Sequence, residues 1–560
     1  MSMTPNDVDA VTDLAADETS ATTPTAGRGS VIAITAIIIL FGNILSRVLG
    51  LVREQLAAGY FGTGDAIAAF TVADNLQTLL FDLMVSGALQ AALIPVLAQW
   101  AKIDRTERGE LRHVSGALVT LVVLLVGPLV LLGVWFAPHV VDGLIWFSGD
   151  KTARGDETVE LTIRLVRIVL PASLLLGIGA VLQAVLYALD RPAAPALSTA
   201  VRNVAIVLGM IALSAPLGVE SMAWGTLVGA AGVVLLQLWP LRQAGALPRP
   251  NLALRHPAVR EIIGLYGPVF AGLLVSSLAV IVDRGLAWGA GQDAVGAMRY
   301  ATTLVQLVLG LIAAAISLAA LPTLSKHFSD SNIGSFRYVL GRSLTMVTVL
   351  IFPATFGLAV LARPIIDLIF GQGATKPEGV DEIALALVFY LPGTLAAAYD
   401  QVLIFAFYSR RNTRVPVTIG VLAVGVYLIV AYALVGWLGM VGLVLANSAQ
   451  LIFHTIAIWW MARRHFGWTG EPRLQTLIPR CAGAALVMAG VAALIWWGGR
   501  ELLPTGSNRP ERLLRQFVLV IVPMGFAAIT YFAIMRQIAR AEIDQLTGAF
   551  TSRLGRFSRR

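Results

Sequence analysis

The stretch that decides the fold is SRVLGLVREQLAAGYFGTGDAIAAFTVADNLQTLLFDLMVSGALQAALIPVL, residues 46–97. It is apolar enough to lie in a lipid bilayer, yet it carries charged side chains, namely Arg47, Arg53, Glu54, Asp65, Asp74 and Asp82. A charge near the bilayer centre costs several kcal/mol, so ionisable groups within a membrane segment indicate function. Read as a helix from Asp65, the second half carries one polar stripe, because side chains three and four positions apart share a helix face. The stripe consists of Thr71, Asn75, Thr78, Asp82 and Ser86.

A polar stripe on a membrane helix must face protein or water, because lipid offers no hydrogen-bond partner. One interpretation is a hydrated central cavity with cationic and anionic walls. The planar guanidinium groups of Arg47 and Arg53 would suit phosphate oxygens in such a cavity. The other interpretation is a set of mutually satisfied charges, with the arginines paired to Glu54, Asp74 or Asp82, that only holds helices together.

The composition is that of a polytopic membrane protein. Of 560 residues, 57% are hydrophobic and 13% charged, and the mean hydropathy is +0.78, whereas soluble domains carry roughly 25% charged residues. The net charge of +8 comes from arginines gathered in loops, so it does not indicate nucleic acid. The single cysteine excludes an internal disulfide, and no histidine pair, phosphate-binding loop or nucleophile motif indicates a metal site, a cofactor or an enzyme.

Spanning a bilayer takes about 20 apolar residues, and the chain offers fourteen such segments. They are 31–58, 65–99, 114–136, 159–188, 195–214, 220–240, 261–289, 295–324, 338–361, 381–408, 415–436, 440–462, 478–498 and 513–535. Arginines and lysines follow the even-numbered segments, which predicts that these loops and both termini are cytoplasmic. The loop at 499–512 is the exception, since it also holds arginines.

Landmarks in the second and fourth segments recur in the eighth and tenth at nearly equal offsets, which indicates an internal repeat. LIPVLAQW corresponds to ALPTLSKH, and the Tyr187–Pro195 pair to Tyr408–Pro416. The eighth segment also has a polar stripe, made of Arg299, Thr303, Gln306 and Gly310. The predicted fold class is an all-α membrane protein with two six-helix lobes and two extra C-terminal helices.

The predicted organisation follows from this repeat. It comprises a disordered cytoplasmic tail at 1–30, an N-lobe at 31–245, a C-lobe at 258–465, the last two helices at 475–540 and a basic cytoplasmic tail at 541–560. In transporters built from parallel repeats, substrate binds between the halves near the membrane midplane. We therefore expect a central cavity lined by segments 1, 2, 7 and 8.

Eight motifs occur in an order and spacing that resemble the MurJ (MviN) lipid II flippase family of the multidrug/oligosaccharidyl-lipid/polysaccharide exporter superfamily. They are SRVLGLVRE (46–54), the NL…LL…SGALQAALIPVL pattern (75–97), GAVLQAVLYALDRPAAPAL (179–197) with Asn203, IVDRGLA (281–287), RYATTL (299–304), LPTLSK (321–326), FGQGA (370–374) and FYSRRNTRVPV (407–417). The resemblance runs from about residue 40 to 465, and the two extra helices fit it as well.

The resemblance implies alternating-access transport of lipid-linked peptidoglycan precursor across the inner membrane of a bacterium, in support of cell wall biogenesis and cell shape. It implies a cationic cavity for the pyrophosphate–sugar headgroup and a groove along the last two helices for the polyprenyl tail. The implied partners are a polyprenyl-pyrophosphate-linked sugar and membrane lipids, without nucleic acid, for a monomer. Coupling would use Na⁺, H⁺ or the membrane potential.

Arg47, Arg53 and Asp283 match functional positions of the family, and the polar stripes and membrane carboxylates supply the other candidate site residues. Those expected to bind substrate are Arg47, Arg53, Arg299, Asn75 and Asp82, and those expected to couple an ion are Asp283, Asn412 and Asp74. The chain departs from the family where Phe81 and Asp82 replace an arginine and where Thr303 replaces another. We predict that Asp82 pairs with Arg47, Arg53 or Arg299, or binds the coupling ion. Arg202 is expected to extend to the membrane interface.

Other functions remain open at this point. A flippase for another polyprenyl-linked polysaccharide and a cation-coupled multidrug antiporter are the main alternatives, and Asp74, Asp82 and Asp400 are compatible with the second. The two extra helices favour the flippase, because twelve suffice for the antiporters. A membrane-embedded glycosyl- or acyltransferase would need a catalytic cluster that the loops lack, and a non-transporting scaffold is also compatible with the sequence.

Overall fold

The computed structural model describes residues 26–85, 93–94, 96–100, 109–147, 154–253, 255–467, 472–504 and 508–540. The predictions for residues 1–25, Ser86 and the basic tail at 541–560 lie outside the described residues. The predicted disordered tail is wrong at its end, because the first helix already begins at Ala26. Residues 26–30 form its first turn, continuous with the apolar run that follows.

The described part of the chain is helical, without a strand. Its helices are α1 (Ala26–Phe61), α2 (Asp65–Val85), α3 (Gly109–Trp135), α4 (Ala137–Trp146), α5 (Gly155–Val169), α6 (Pro171–Ala188), α7 (Ala193–Leu217), α8 (Glu220–Gln243), α9 (Pro257–Gly289), α10 (Ala294–Leu309), α11 (Ala315–Ser329), α12 (Ile333–Val360), α13 (Ala362–Phe370), α14 (Pro377–Ser409), α15 (Arg414–Leu438), α16 (Met440–Phe466), α17 (Pro472–Leu502) and α18 (Arg509–Ile538). A π-helical turn, Gly310–Ala314, joins α10 to α11.

Within the described residues, eleven helical stretches are long and apolar enough to cross a membrane. The fourth predicted segment is built from α5 and α6, and the eighth from α10, the π-helical turn and α11. The first and seventh predicted segments correspond to α1 and α9, and α2 covers residues 65–85 of the second, whose residues 86–92 and 95 lie outside the described residues. The all-α membrane architecture is therefore confirmed, while the count of fourteen spans stays a prediction.

The helices pack mainly in two groups, with α9 in contact with both. In the first group α1 packs on α7, α7 on α8, α8 on α6, and α2 on α5. In the second, α14 packs on α10, α12 and α16, and α15 packs on α16. Helix α9 touches α2 and α4 on one side and α15 on the other, and α17 joins α12 to α18. The domain boundaries given above remain an interpretation of the sequence.

Candidate functional site

A buried carboxylate on α1 is the centre of an ionic network between the two groups of helices. The Glu54 side chain is 2% exposed and accepts hydrogen bonds from two guanidinium groups. Arg53 donates from Nε and Nη2 to Oε1 at 3.0 and 2.6 Å. Arg299 of α10 donates from Nε to Oε2 at 2.8 Å and from Nη2 to Oε1 at 2.9 Å. Glu54 thereby holds two arginines from different helices against each other.

The network continues onto α2 and α7. Arg299 Nη1 lies 3.2 Å from Asp74 Oδ2, and Arg202 Nη2 lies 3.6 Å from Asp74 Oδ1. Arg53 Nη1 donates to Asn203 Oδ1 at 3.1 Å. Three arginines thus share two carboxylates, so the network carries an excess of one positive charge.

The position predicted for Arg202 is wrong. Its side chain is 22% exposed and faces Asp74, because α7 packs along α1 and turns this position inward rather than to the interface. Glu54 was considered only as a possible partner of the arginines, yet it links two of them. A signal for Arg202 was present in the sequence, since the neighbouring Asn203 belongs to the motifs that carry the family resemblance.

A cavity of about 440 Å³ lies beside this network. It is bounded by α1, α9 and α10, and its lining consists of Arg47, Gly50, Leu51, Arg53, Arg284, Thr302, Thr303, Gln306 and Leu307. Among the described residues, this lining contains three arginines and no carboxylate. The predicted lining by segments 1, 7 and 8 matches these helices, whereas segment 2 reaches the cavity only through the network behind it.

Arg47 is held at the cavity wall by α10. Its Nη1 donates to the Gln306 carbonyl oxygen at 3.2 Å, and its guanidinium lies directly on Gly310, where a Cβ atom would sit 1.7 Å from Nη1. Gly310 begins the π-helical turn, an irregularity that often marks functional positions in membrane and soluble helices. A side chain at this position would have to displace the flexible Arg47 guanidinium, so the glycine leaves room for the arginine at the cavity wall.

The molecule is closed at the end where α1 finishes. Arg154, 7% exposed, donates to Asp65 Oδ1 at 2.8 Å and to the carbonyl oxygens of Gly291 and Gln292 at 2.6 and 2.8 Å. Burial lowers the pKa of the Arg154 guanidinium, and the hydrogen bond to Asp65 opposes that shift. Thr63 Oγ1 also donates a hydrogen bond to Asp293 Oδ1, in the loop between α9 and α10.

The loop before α14, residues 371–376, completes this closure. We call the contacts made here by Arg154, Thr63 and this loop the seal. The Ala374 amide donates to the Gly59 carbonyl at 2.8 Å, and Thr375 Oγ1 donates to the Ala58 carbonyl at 2.9 Å. Gly373 adopts a φ of +72°, and a Cβ there would lie 2.2 Å from the Gly59 oxygen. The seal therefore depends on backbone contact that only glycine permits.

The structure places the predicted substrate-binding residues in different surroundings. Arg47 and Arg53 line the cavity, and Arg299 lies behind it in the network. Asn75 is half-buried, and its Nδ2 has no partner among the described residues. Asp82 is exposed.

The predicted pairing of Asp82 with Arg47, Arg53 or Arg299 is wrong. Arg53 and Arg299 are engaged by Glu54 and, for Arg299, Asp74, and Arg47 binds a carbonyl oxygen. Arg202 is the cation within electrostatic reach of Asp82. The polar stripe of α2 is also split, because Thr71 is buried and donates to the Ile67 carbonyl at 2.7 Å instead of facing the cavity.

The predicted ion-coupling residues lie apart from one another. Asp74 belongs to the network. Asp283 accepts a hydrogen bond from Tyr427 and lies 3.4 Å from Arg284 Nη1. Asn412 accepts from the Val415 amide at 3.4 Å at the start of α15. In the part of the chain that the structure covers, no three histidine, cysteine or carboxylate side chains come together as metal ligands.

Asp400, which the sequence made compatible with a cation-coupled antiporter, is partnered. Its Oδ1 lies 2.6 Å from His454 Nδ1, and the two side chains are 11% and 12% exposed. The pair joins α14 to α16, and neither residue belongs to the cavity lining. The arrangement fits a role in holding two helices of the second group together.

Comparison with known proteins gives one consistent result. The sequence profile of the family described as "Lipid II flippase MurJ" matches residues 57–505. A "Probable lipid II flippase MurJ" of Vibrio cholerae is 30% identical over 82% of this chain and 88% of its own length. A "Lipid II flippase MurJ" of Burkholderia cenocepacia is 27% identical over 88% of this chain and 95% of its own.

Solved structures share the fold. A lipid II flippase MurJ in an inward closed conformation superposes with a TM-score of 0.74 at 20% identity, covering 90% of this chain and 100% of that chain. A multidrug resistance MATE family transporter in an inward-facing conformation superposes with a TM-score of 0.65 at 15% identity, covering 77% and 98%. These likenesses concern the arrangement of helices alone.

Proposed function

The chain belongs to the MurJ family of lipid II flippases, and from this premise we propose that it moves lipid II across a bacterial cytoplasmic membrane by alternating access. The observation that carries the proposal is the cavity beside α1, whose lining holds Arg47, Arg53 and Arg284 and, among its described residues, no carboxylate. A cavity of this charge suits the pyrophosphate of a lipid-linked sugar.

The cavity arginines would bind the pyrophosphate directly. A guanidinium presents a planar fork of donors that matches phosphate oxygens, and such charge-assisted hydrogen bonds are stronger in a low-dielectric cavity than in water. Arg47 and Arg53 face the lining from one helix, and Arg284 faces it from α9. The hydroxyl oxygens of Thr302 and Thr303 would add acceptors for the sugar, since their protons are donated to backbone carbonyls of α10.

The network behind the cavity would position these arginines. Glu54 fixes Arg53 by two hydrogen bonds, and Arg299 fixes Glu54 from α10. We therefore propose that Arg299 acts through Glu54 rather than by touching phosphate. Because the network links helices of both groups, it would have to rearrange when the seal opens and the cavity changes sides.

The chain is a multi-pass membrane protein of a transporter family. We propose further that both termini are cytoplasmic, which puts the seal on the outer face, and that the protein acts as a monomer without catalysing a covalent reaction. For coupling, Asp74 is the strongest of the three candidates, because it contacts the network, whereas Asp283 and Asn412 are engaged elsewhere. Reporter fusions after Arg560 test the orientation.

The deciding experiment is rescue of bacteria depleted of their own lipid II flippase. We expect the wild-type chain to restore growth and Arg47→Ala/Arg53→Ala to fail, with lipid II transport reduced about 100-fold, since each lost charge-assisted bond is worth about tenfold. The matched control is Arg164→Ala/Arg167→Ala, which removes two exposed arginines outside the cavity. Membrane levels of each variant are measured alongside.

Full lipid II transport by the cavity double variant would refute the proposed role of the cavity arginines in binding the headgroup, and failure of the wild-type chain to rescue growth would favour the cation-coupled antiporter. The comparisons do not favour that alternative, because its likeness to this chain is one of fold at 15% identity. Asp82→Asn separates the two further. A flippase of the proposed kind keeps its activity in this variant, since Asp82 lies outside the cavity lining.

A further inference from the structure

A second cationic cavity lies away from the first, between α13, α17 and α18. Its volume is about 310 Å³. The lining contains four arginines, Arg363, Arg500, Arg512 and Arg515. We call it the outer arginine pocket, because α13 leads directly into the loop that forms the seal, and the proposed orientation puts the seal on the outer face.

The carboxylate in this lining is already engaged. Asp367 Oδ2 accepts from Gln516 Nε2 at 2.7 Å, and Gln372 Nε2 in turn donates to Gln516 Oε1 at 3.0 Å. Arg363 is paired with Asp381. The neutral amide of Gln516 leaves the negative charge of Asp367 in place, so the lining carries four arginines against this one carboxylate and keeps a net positive charge.

Arg515 is built into the wall of the pocket. Its Nη2 donates to the Arg500 carbonyl oxygen at 2.9 Å, while its Nε is buried and has no partner among the described residues. A buried guanidinium nitrogen without an acceptor is costly, so an oxygen-bearing ligand at this point would relieve the cost. The guanidinium of Arg500 lies 5.8 Å from the ring of Trp496, which faces the same pocket.

The arginines also contradict the charge rule for membrane proteins. Loops on the outer side normally carry few arginines, yet 499–512 is the segment that breaks the pattern in this chain. An anionic ligand at headgroup level gives these charges a use. Trp496 suits this depth, because tryptophan favours the boundary between hydrocarbon and headgroups.

We propose that the outer arginine pocket binds the phosphate group of a lipid in the outer leaflet. The phosphate would lie among Arg500, Arg512 and Arg515, and the lipid chains would run down α18 past Leu519. Two sources carry this chemistry, a resident anionic phospholipid and the pyrophosphate of a lipid that has just been transported. The inference rests on the proposed orientation and, for the second source only, on the proposed function.

Lipid binding to the purified full-length protein tests the proposal, with native mass spectrometry as the readout. The probes are phosphatidylglycerol, a polyprenyl pyrophosphate and, as a neutral comparison, phosphatidylcholine. We expect Arg500→Gln/Arg512→Gln/Arg515→Gln to weaken binding of at least one anionic probe about tenfold or more. The matched control is Arg480→Gln/Arg536→Gln, which removes two exposed arginines from the opposite ends of the same helices.

Weaker binding of phosphatidylglycerol would identify a resident phospholipid as the ligand, and weaker binding of the polyprenyl pyrophosphate would identify a transported lipid. Either result supports the proposal. Arg515→Lys keeps the charge but not the fork, so it should bind with intermediate affinity. Unchanged binding of both anionic probes by the triple variant would overturn the proposal. Equal loss in the control variant, or equal binding of phosphatidylcholine, would overturn it too.

The rescue assay keeps this inference separate from the proposed function. If the wild-type chain fails to rescue the depleted strain, the flippase proposal is refuted. The pocket proposal is still supported if the triple variant binds phosphatidylglycerol more weakly than the wild type does. If the wild type rescues growth but the triple variant binds both anionic probes normally, the flippase proposal is supported and the pocket proposal is refuted.

Discussion

Replacing Glu54 by glutamine should destabilise the protein strongly, because it removes the buried negative charge that lies between Arg53 and Arg299. The glutamate accepts four hydrogen bonds, two from Arg53 and two from Arg299, at 2.6–3.0 Å. Glutamine has nearly the same shape, so packing is preserved. Its amide nitrogen, however, would face a guanidinium donor instead of accepting from it.

The magnitude follows from charges and burial. Two unit charges about 4 Å apart attract by about 4 kcal/mol at an effective dielectric constant of 20, so two pairs amount to about 8 kcal/mol. Glutamine avoids the several kcal/mol that it costs to desolvate a buried carboxylate. The expected net loss in the free energy of unfolding is about 3–5 kcal/mol, the range found when one partner of a buried ion pair is removed.

The measurement is the free energy of unfolding in mixed micelles. Gln55→Ala, at the exposed neighbour of Glu54, serves as the control and should leave it unchanged. The double variant Glu54→Gln/Arg299→Gln removes one cation as well and should recover most of the loss, because the two positions are coupled. A loss below about 0.5 kcal/mol, the range of ordinary surface substitutions, or the absence of recovery in the double variant, would refute this account of the network.

Three further predictions address other contacts. Gly310→Ala should leave stability nearly unchanged, since alanine favours a helix by about 1 kcal/mol, but it should displace Arg47 and lower lipid II transport; normal transport would contradict this. Arg154→Gln should weaken the seal by about 3 kcal/mol, seen as faster hydrogen exchange in the loop it binds, and unchanged exchange would count against it. Asp400→Asn should lower the free energy of unfolding by about 1–3 kcal/mol through lost bonding to His454, with unchanged transport per folded molecule; lost transport at normal stability would show a functional role instead.

The sequence by itself determined the class of protein and most of the helices. Long apolar runs are stable only in a protein core or in a bilayer. A helix that spans the bilayer satisfies its own backbone hydrogen bonds. These are local properties, so they can be read along the chain without knowing what packs on what. The same holds for Arg47 and Arg53, because charges inside an apolar segment stand out whatever their partners are.

Which charges meet depends on how the helices pack. Arg299 and Arg202 reach Glu54 and Asp74 from helices far away in the chain. The sequence did not distinguish these two carboxylates from Asp82 as partners for the arginines. The sequence offered Asp82 as one of several partners for the arginines, yet Glu54 and Asp74 hold Arg299 because packing puts them within 3.2 Å. Partner choice depends on differences of an ångström or so, which hydrophobic pattern and residue spacing do not encode. The outer arginine pocket was undetectable for the same reason, since α13, α17 and α18 become neighbours only when the chain folds.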